Sequence, residues 1–94
     1  LILFTNFRIA HKEIDIISFD KNELVFTEIK TRSSLMGGYP EDHISKAKIK
    51  HLRSALEQFL LQNPQYTFSR IDIISIILKN DIVIDIQHYE DAIY

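Results

Sequence analysis

The sequence predicts an α/β domain spanning residues 1–94, in which three strands, one helix and two further strands form a mixed sheet. Isoleucine supplies 17 of the 94 residues, whereas glycine and proline supply two each. β-branched residues favour strands. Apolar residues alternate with period two in the first third of the chain and recur with helical spacing in the middle. This change of period marks the passage from strands to a helix.

The strands follow from apolar, β-prone segments bounded by polar turns. Asp20–Glu23 and Lys79–Asp81 are the expected turns. The fourth strand is expected inside the sheet, because both of its faces are nearly apolar. The predicted strands are residues 1–9, 13–19, 24–31, 70–78 and 82–86.

The helix is predicted from Ser45, as N-cap, to about Gln62, with Pro64 beyond its end. Its apolar stripe is Ile49, Leu52, Leu56, Phe59 and Leu60. Before it, Ser33–Asp42 contains both glycines and predicts a flexible flap. Residues 89–94 are expected to start a short last helix.

Composition excludes several kinds of site. Cysteine is absent, which excludes disulfides, cysteine zinc sites and a thiol nucleophile. Apolar runs stay far below the roughly 20 residues of a membrane span, and no signal-peptide pattern is present. We therefore expect a cytoplasmic protein with no membrane partner.

Charge is unevenly distributed along the chain. The net charge is −2, yet Ile44–Ser54 contains four basic residues and no acid. A local basic face on an acidic protein can bind phosphate, although a solvated helix face explains the run equally well. The four basic residues of this run are Lys46, Lys48, Lys50 and Arg53.

The second hairpin places charges opposite one another. Centring its turn between Lys21 and Asn22 pairs Phe19 with Leu24 and Ile17 with Phe26. The same register pairs Asp15 with Glu28 and Glu13 with Lys30 at the far end, on one face of the sheet.

The facing carboxylates indicate a cation site. Asp15 and Glu28 at about 5 Å repel each other, so either one is protonated or a cation lies between them. Mg²⁺ favours one or two carboxylates with water and substrate phosphate. The alternative, that the strand ends separate and both acids are solvated, stays open at this point. Lys30, two residues after Glu28 on the same strand, is placed to orient water or phosphate.

The sequence contains a motif that resembles the D…(D/E)xK signature of the PD-(D/E)xK nuclease superfamily. The motif is Asp15, twelve intervening residues and Glu28-Ile29-Lys30. Over nearly the whole chain, the sequence is similar to the small bacterial YraN-type family of predicted endonucleases related to Holliday-junction resolvases. The matching blocks are Asn6-x-Arg8, Glu13-Ile14-Asp15, Leu24-Val25-Phe26-x-Glu28-x-Lys30-Thr31-Arg32, Lys48, Arg70-Ile71-Asp72 and Ile86-Gln87-His88 with Ala92.

The resemblance implies a restriction-endonuclease-like mixed sheet flanked by helices on its two sides. It implies Asp15 and Glu28 as metal ligands and Lys30 as the catalytic lysine. Lys12 replaces the usual glycine, and Ile29 replaces the usual valine. The family's N-terminal helix, from which related resolvases take a further acid, is expected to be absent.

Several other residues have two interpretations. Lys48 lies beside the apolar stripe of the helix, where it either extends along the surface or points to Glu28 and phosphate. Asp72 lies in an apolar strand, so it either accepts structural hydrogen bonds or supports the active site. Arg32 and Thr31 follow the triplet and are placed near phosphate. The histidines show no zinc-site spacing.

The first functional hypothesis is a Mg²⁺- or Mn²⁺-dependent endonuclease that acts on DNA, with branched or structured DNA as one candidate substrate. The metal is held by Asp15, Glu28 and the Ile29 carbonyl, with Glu13, Thr31 and Asp72 in support. Backbone phosphates are expected to contact five basic residues, which are Arg32, Lys46, Lys48, Lys50 and Arg53. The alternatives are a non-catalytic nucleic-acid-binding module of the same fold and an interaction domain. A homodimer stays open.

Overall fold

The computed structural model describes residues 1–33 and 45–92, and it has the predicted order β-β-β-α-β-β. The predicted flap lies almost entirely outside the described residues. The elements are β1 (Ile2–Ile9), β2 (Lys12–Asp20), β3 (Glu23–Arg32), α1 (Lys46–Gln62), β4 (Phe68–Lys79) and β5 (Ile82–Tyr89).

Each of the three hairpins turns on two residues with left-handed φ. The values are 48° and 67° at Ala10–His11, 47° and 69° at Lys21–Asn22, and 52° and 62° at Asn80–Asp81. Two-residue turns of this kind match the right-handed twist of the flanking strands. Among residues other than glycine, Asn and Asp adopt this backbone region most readily, so the polar signals of the second and third turns have a conformational basis.

The five strands form one mixed sheet in the order β1-β2-β3-β4-β5. The pair β3–β4 is parallel and the other pairs are antiparallel, so α1 serves as the crossover between two parallel neighbours. β4 lies inside the sheet, as predicted. β5 forms an edge and is almost wholly exposed.

The predicted last helix is wrong for its described part. Tyr89 is still in β5 and pairs with Ile73. Glu90 and Asp91 form a turn, and the Ala92 N–H donates to the Ile71 carbonyl at 2.9 Å. These backbone hydrogen bonds extend the contact with β4 and leave the segment no helical geometry.

α1 begins and ends where the sequence predicts. Its buried residues are Leu52, Ala55 and Phe59, which pack on the face of the sheet formed by residues such as Ile17 and Phe26. Within the described residues this is the only helix, so the second of the two expected flanking helices is not among them. α1 is not long and apolar enough to cross a membrane.

Phe59 lies at the centre of an aromatic cluster between α1 and the sheet. Its ring centroid is 5.6 Å from Phe7 and from Phe26, 6.3 Å from Phe4 and 6.2 Å from Tyr66. Tilted and edge-to-face aromatic pairs add to the free energy of burial. The cluster holds the C-terminal half of α1 over β1 and β3.

The Ser45 cap gives a first testable prediction. Its hydroxyl accepts a hydrogen bond from the Lys48 N–H at 3.0 Å. Ser45→Ala should lower the free energy of unfolding by about 1 kcal/mol, measured by chemical denaturation. Ser45→Asp, which keeps an acceptor, should change it little. Equal losses in the two variants would contradict a capping role.

Candidate active site

The hairpin of β2 and β3 has the predicted register only near its turn. The backbone pairs run from Asp20↔Glu23 to Ile16↔Thr27. Beyond them the ladder ends, and Asp15 is not paired with Glu28 as predicted. Instead, Asp15 Oδ2 accepts a hydrogen bond from the Ile29 N–H at 2.8 Å. A carboxylate therefore takes the place that a backbone carbonyl holds in a continuous ladder.

The ladder ends where the alternation of β2 shifts. Ile14 and Ile17 are both buried in the core under α1, although residues three apart point to opposite faces of a regular strand. On β1, Asn6 lies between the partners of Ile14 and Ile16 and has a left-handed φ of 50°. The distortion frees Asp15 to point at β3.

Glu13 does not pair with Lys30 as predicted, because the β2–β3 ladder ends at Ile16. Glu13 pairs with Arg8 on β1, and its carboxylate lies 3.9 Å from the Arg8 guanidinium. Both side chains are largely exposed, so this ion pair contributes little to stability.

Glu28 is buried on the face of the sheet that α1 covers, with 7% of its surface exposed. Its Oε2 lies 3.3 Å from Lys48 Nζ and receives no hydrogen bond within the described residues. Burial raises the pKa of the Glu28 carboxyl above its usual 4.5; the Lys48 ammonium opposes this rise, and the Asp15 charge adds to it. The two carboxylates therefore interact, although they are not a ladder pair.

Lys30 completes the charged group on the same face. It lies two residues after Glu28 in a regular parallel ladder with β4, and its charge also acts to lower the pKa of Glu28. Arg32, two residues further, ends the strand on that face. The side chains of Ile29 and Thr31 alternate to the opposite face, so Thr31 is not brought to the site.

The donor set fits Mg²⁺ or Mn²⁺ better than zinc. Among the described residues no three side chains of the metal-binding types come together. What the site offers is two carboxylates and one backbone carbonyl. The Ile29 N–H points to β2, and the carbonyl of an extended residue points to the same side as its N–H. Few carboxylates with free positions for water and phosphate are the usual environment of Mg²⁺.

The basic residues of α1 fall into two groups. Lys48 points to Glu28, as one of its two interpretations predicts, and its contact with phosphate stays a prediction. Lys46, Lys50 and Arg53 lie on the exposed side of the helix, where they line an open groove together with Glu57. Among the described residues, no ion pair joins these three to Asp15 or Glu28.

Asp72 is 1% exposed and belongs to a separate charge network. It precedes the residue that pairs with Glu28, so it points to the opposite face. It accepts hydrogen bonds from Arg70 Nε at 3.0 Å and from the Asp91 N–H at 2.9 Å, and its Oδ2 lies 2.8 Å from His88 Nε2. These contacts correspond to the structural interpretation of Asp72.

Sequence reasoning missed three residues near Lys48. Lys12 follows the β1–β2 turn and comes to lie against α1, where its Nζ is 3.4 Å from Ser54 Oγ. His11 and His51 line a pocket together with Lys12 and Lys48. Only the tertiary contact between the turn and the helix unites them, and no local spacing signals it.

The sequence profile of the Uncharacterised protein family UPF0102 matches residues 1–76. The chain belongs to this family. It is 41% identical over 93 residues to UPF0102 protein FP2501 of Flavobacterium psychrophilum, covering 99% of this chain and 77% of that protein. It is 38% identical over 94 residues to a UPF0102 protein of Caldicellulosiruptor saccharolyticus, covering 97% and 79%. These matches confirm the resemblance to YraN-type proteins.

The matched segment of this UPF0102 chain contains all of the candidate site. Asp15, Glu28, Lys30 and Lys48 fall within residues 1–76. The crossover between β3 and β4, which brings Lys48 to Glu28, also falls within it. The site is thus part of the portion that the family profile describes.

Proposed function

We propose that this UPF0102 protein is a metal-dependent endonuclease that hydrolyses DNA phosphodiester bonds, with branched or otherwise structured DNA as the candidate substrate. One observation carries the proposal: a buried glutamate and a second carboxylate converge beside two lysines. A buried carboxylate beside a second acid lowers stability. This arrangement suits a site that receives a cation and an anionic phosphate.

The metal would be held by Asp15, Glu28 and the Ile29 carbonyl. Bound there, Mg²⁺ or Mn²⁺ supplies polarisation of the scissile phosphate and a lower pKa for a water ligand. Asp15 is held in place by the Ile29 N–H, so its position requires no rearrangement before binding. Pre-organisation of this kind reduces the free-energy cost of assembling a site.

The two lysines act on the substrate side. Lys30 lies on the rigid centre of the sheet, from which its ammonium stabilises negative charge that develops on the phosphate. Lys48 favours the ionised form of Glu28, because its ammonium opposes the effect of burial on the pKa of that carboxyl. Arg32 and the outward face of α1 supply further positive charge for backbone phosphates.

A second candidate function is a nucleic-acid-binding module that does not cleave. The ion pair between Lys48 and Glu28 at 3.3 Å favours it, since an internal ammonium already compensates the buried carboxylate. In this case the site would bind phosphate through its lysines and would need no metal.

The decisive experiment is cleavage of a labelled DNA panel comprising single-stranded, duplex, flap and four-way substrates. We expect the full chain to cut at least one substrate with Mg²⁺ or Mn²⁺, and to cut none in EDTA. Binding without cleavage under any divalent metal would support the non-catalytic module and contradict the endonuclease. Glu28→Gln should abolish metal binding in calorimetry.

A further inference from the structure

A polar pocket of about 190 Å³ lies beside the candidate active site, between the β1–β2 turn and the first two turns of α1. The buried side chains of Ile14 and Leu52 contribute apolar lining. The polar lining is formed by His11, Lys12, Glu13, Lys48 and His51. The pocket therefore joins the hairpin that carries Asp15 to the helix that carries the partner of Glu28.

The pocket has more basic than acidic groups. Lys12 enters from the sheet and Lys48 from the helix, and His51 lies one turn after Lys48 on the same side of α1. Glu13 is the only acid of the described lining, and its carboxylate already lies 3.9 Å from Arg8. An anion in the pocket would therefore meet two ammonium groups and two imidazoles against one partly compensated carboxylate.

Lys48 connects this pocket to the carboxylates. Its Nζ lies 3.3 Å from Glu28 Oε2, while the residue also lines the pocket. An anion bound between Lys12 and Lys48 would consequently lie next to the position where the candidate active site receives its phosphate. Adjacent phosphates along one strand supply two anionic groups at such neighbouring positions.

We propose that this pocket binds one backbone phosphate of a nucleic-acid strand, next to the phosphate that a metal at Asp15 and Glu28 would receive. The identity of the neighbouring phosphate rests on the proposed function. Lysine binds phosphate as a point charge without a planar partner geometry. None of the described residues that line the pocket is a Phe, Tyr or Trp on which a base could stack, so the backbone and not a base is the expected occupant.

Binding of fluorescent DNA to the full chain in EDTA tests the pocket without catalysis. Lys12→Gln and His51→Gln should each weaken binding about three- to tenfold at low salt. Lys12→Gln should also reduce the slope of log affinity against log salt by about 0.7 to 0.9. Lys21→Gln, which removes a lysine from the turn at the opposite end of β2, is the matched control and should change neither quantity.

A second variant separates phosphate binding from a structural effect of Lys12. Ser54→Ala removes the hydroxyl that lies 3.4 Å from Lys12 Nζ but keeps the charge. We expect it to bind DNA like the wild type. If it weakens binding as much as Lys12→Gln does, the lysine acts only by holding the hairpin to the helix, and the proposal is overturned.

A scan of DNA with single methylphosphonate substitutions identifies the contact. Neutralising one particular phosphate should weaken DNA binding by the wild type but not by the Lys12→Gln variant. This result would show that Lys12 and that phosphate interact. Additive effects at every position, or no DNA binding by the wild type, would overturn the pocket. Absence of cleavage with both Mg²⁺ and Mn²⁺ would overturn the endonuclease and leave this result standing, so the two failures are distinguishable.

Discussion

Replacing Asp15 with Asn should reduce metal-dependent DNA cleavage by at least about a hundredfold and leave the fold intact. Asparagine keeps an oxygen that can accept the Ile29 N–H now bonded to Asp15 Oδ2 at 2.8 Å. It removes only the charge. Because the Asp15 charge contributes to the raised pKa of Glu28, its loss should also relieve repulsion and keep or raise the thermal stability.

The control for this variant is Asp85→Asn, at an exposed position on the edge strand β5. It should leave cleavage, metal affinity and stability unchanged. Lys30→Ala should also abolish turnover while calorimetry still detects the metal, because the lysine acts on the transition state more than on the ion. Undiminished cleavage in a variant lacking both Asp15 and Lys30 would refute the proposed site.

Local signals predicted most of the fold. The polar pair Lys21–Asn22 fixed the hairpin register, because a two-residue turn determines every pair that follows until the ladder ends. Ser45 fixed the start of α1, because a serine hydroxyl satisfies a free N–H of the first turn. The spacing from Asp15 to Glu28 likewise predicted carboxylates that interact in the folded chain.

The remaining features depend on tertiary contacts. Period-two reasoning assumed a continuous strand, and so it paired Glu13 with Lys30 across a hairpin that in fact separates at Asp15. A left-handed residue at Asn6 is a property of backbone conformation, which an asparagine permits but does not require. Lys12 and Lys48 line one pocket only because the β1–β2 turn packs against the helix.

The Arg70 network gives the largest expected effect on stability. Arg70 donates to Asp72, and its guanidinium also lies 3.1 Å from Glu23 Oε1 and 3.4 Å from Asp20 Oδ2. Arg70→Met should lower the free energy of unfolding by about 3–5 kcal/mol, because it leaves Asp72 as a buried charge without its main partner. Arg53→Met, which removes an exposed arginine from α1, should cost far less.

A double variant tests whether the uncompensated charge is the cause of that loss. Adding Asp72→Asn to Arg70→Met should restore part of the lost free energy, since no charge then remains buried at this position. Chemical denaturation of the two single variants and the double variant measures the coupling. Additive losses would show that Arg70 stabilises the sheet through packing or through its contacts with the turn at Asp20–Glu23.

The pH dependence of the Arg70→Met defect follows from the ionisation of Asp72. Burial alone would raise the pKa of Asp72, but hydrogen bonds from Arg70, the Asp91 N–H and His88 outweigh it and hold this pKa below the usual 3.8. A carboxyl with a lowered pKa stabilises the fold above its unfolded-state pKa, and this contribution is lost as the pH falls through the folded-state value.

In Arg70→Met the hydrogen bond from Arg70 is lost while the effect of burial stays. The pKa of Asp72 should therefore rise, and Asp72 should take up a proton at higher pH than in the wild type. The stability difference between the two proteins should therefore be largest near pH 7 and shrink as the pH approaches 3.8. A difference that stays constant from pH 7 to pH 4 would show that the charge of Asp72 does not cause the defect.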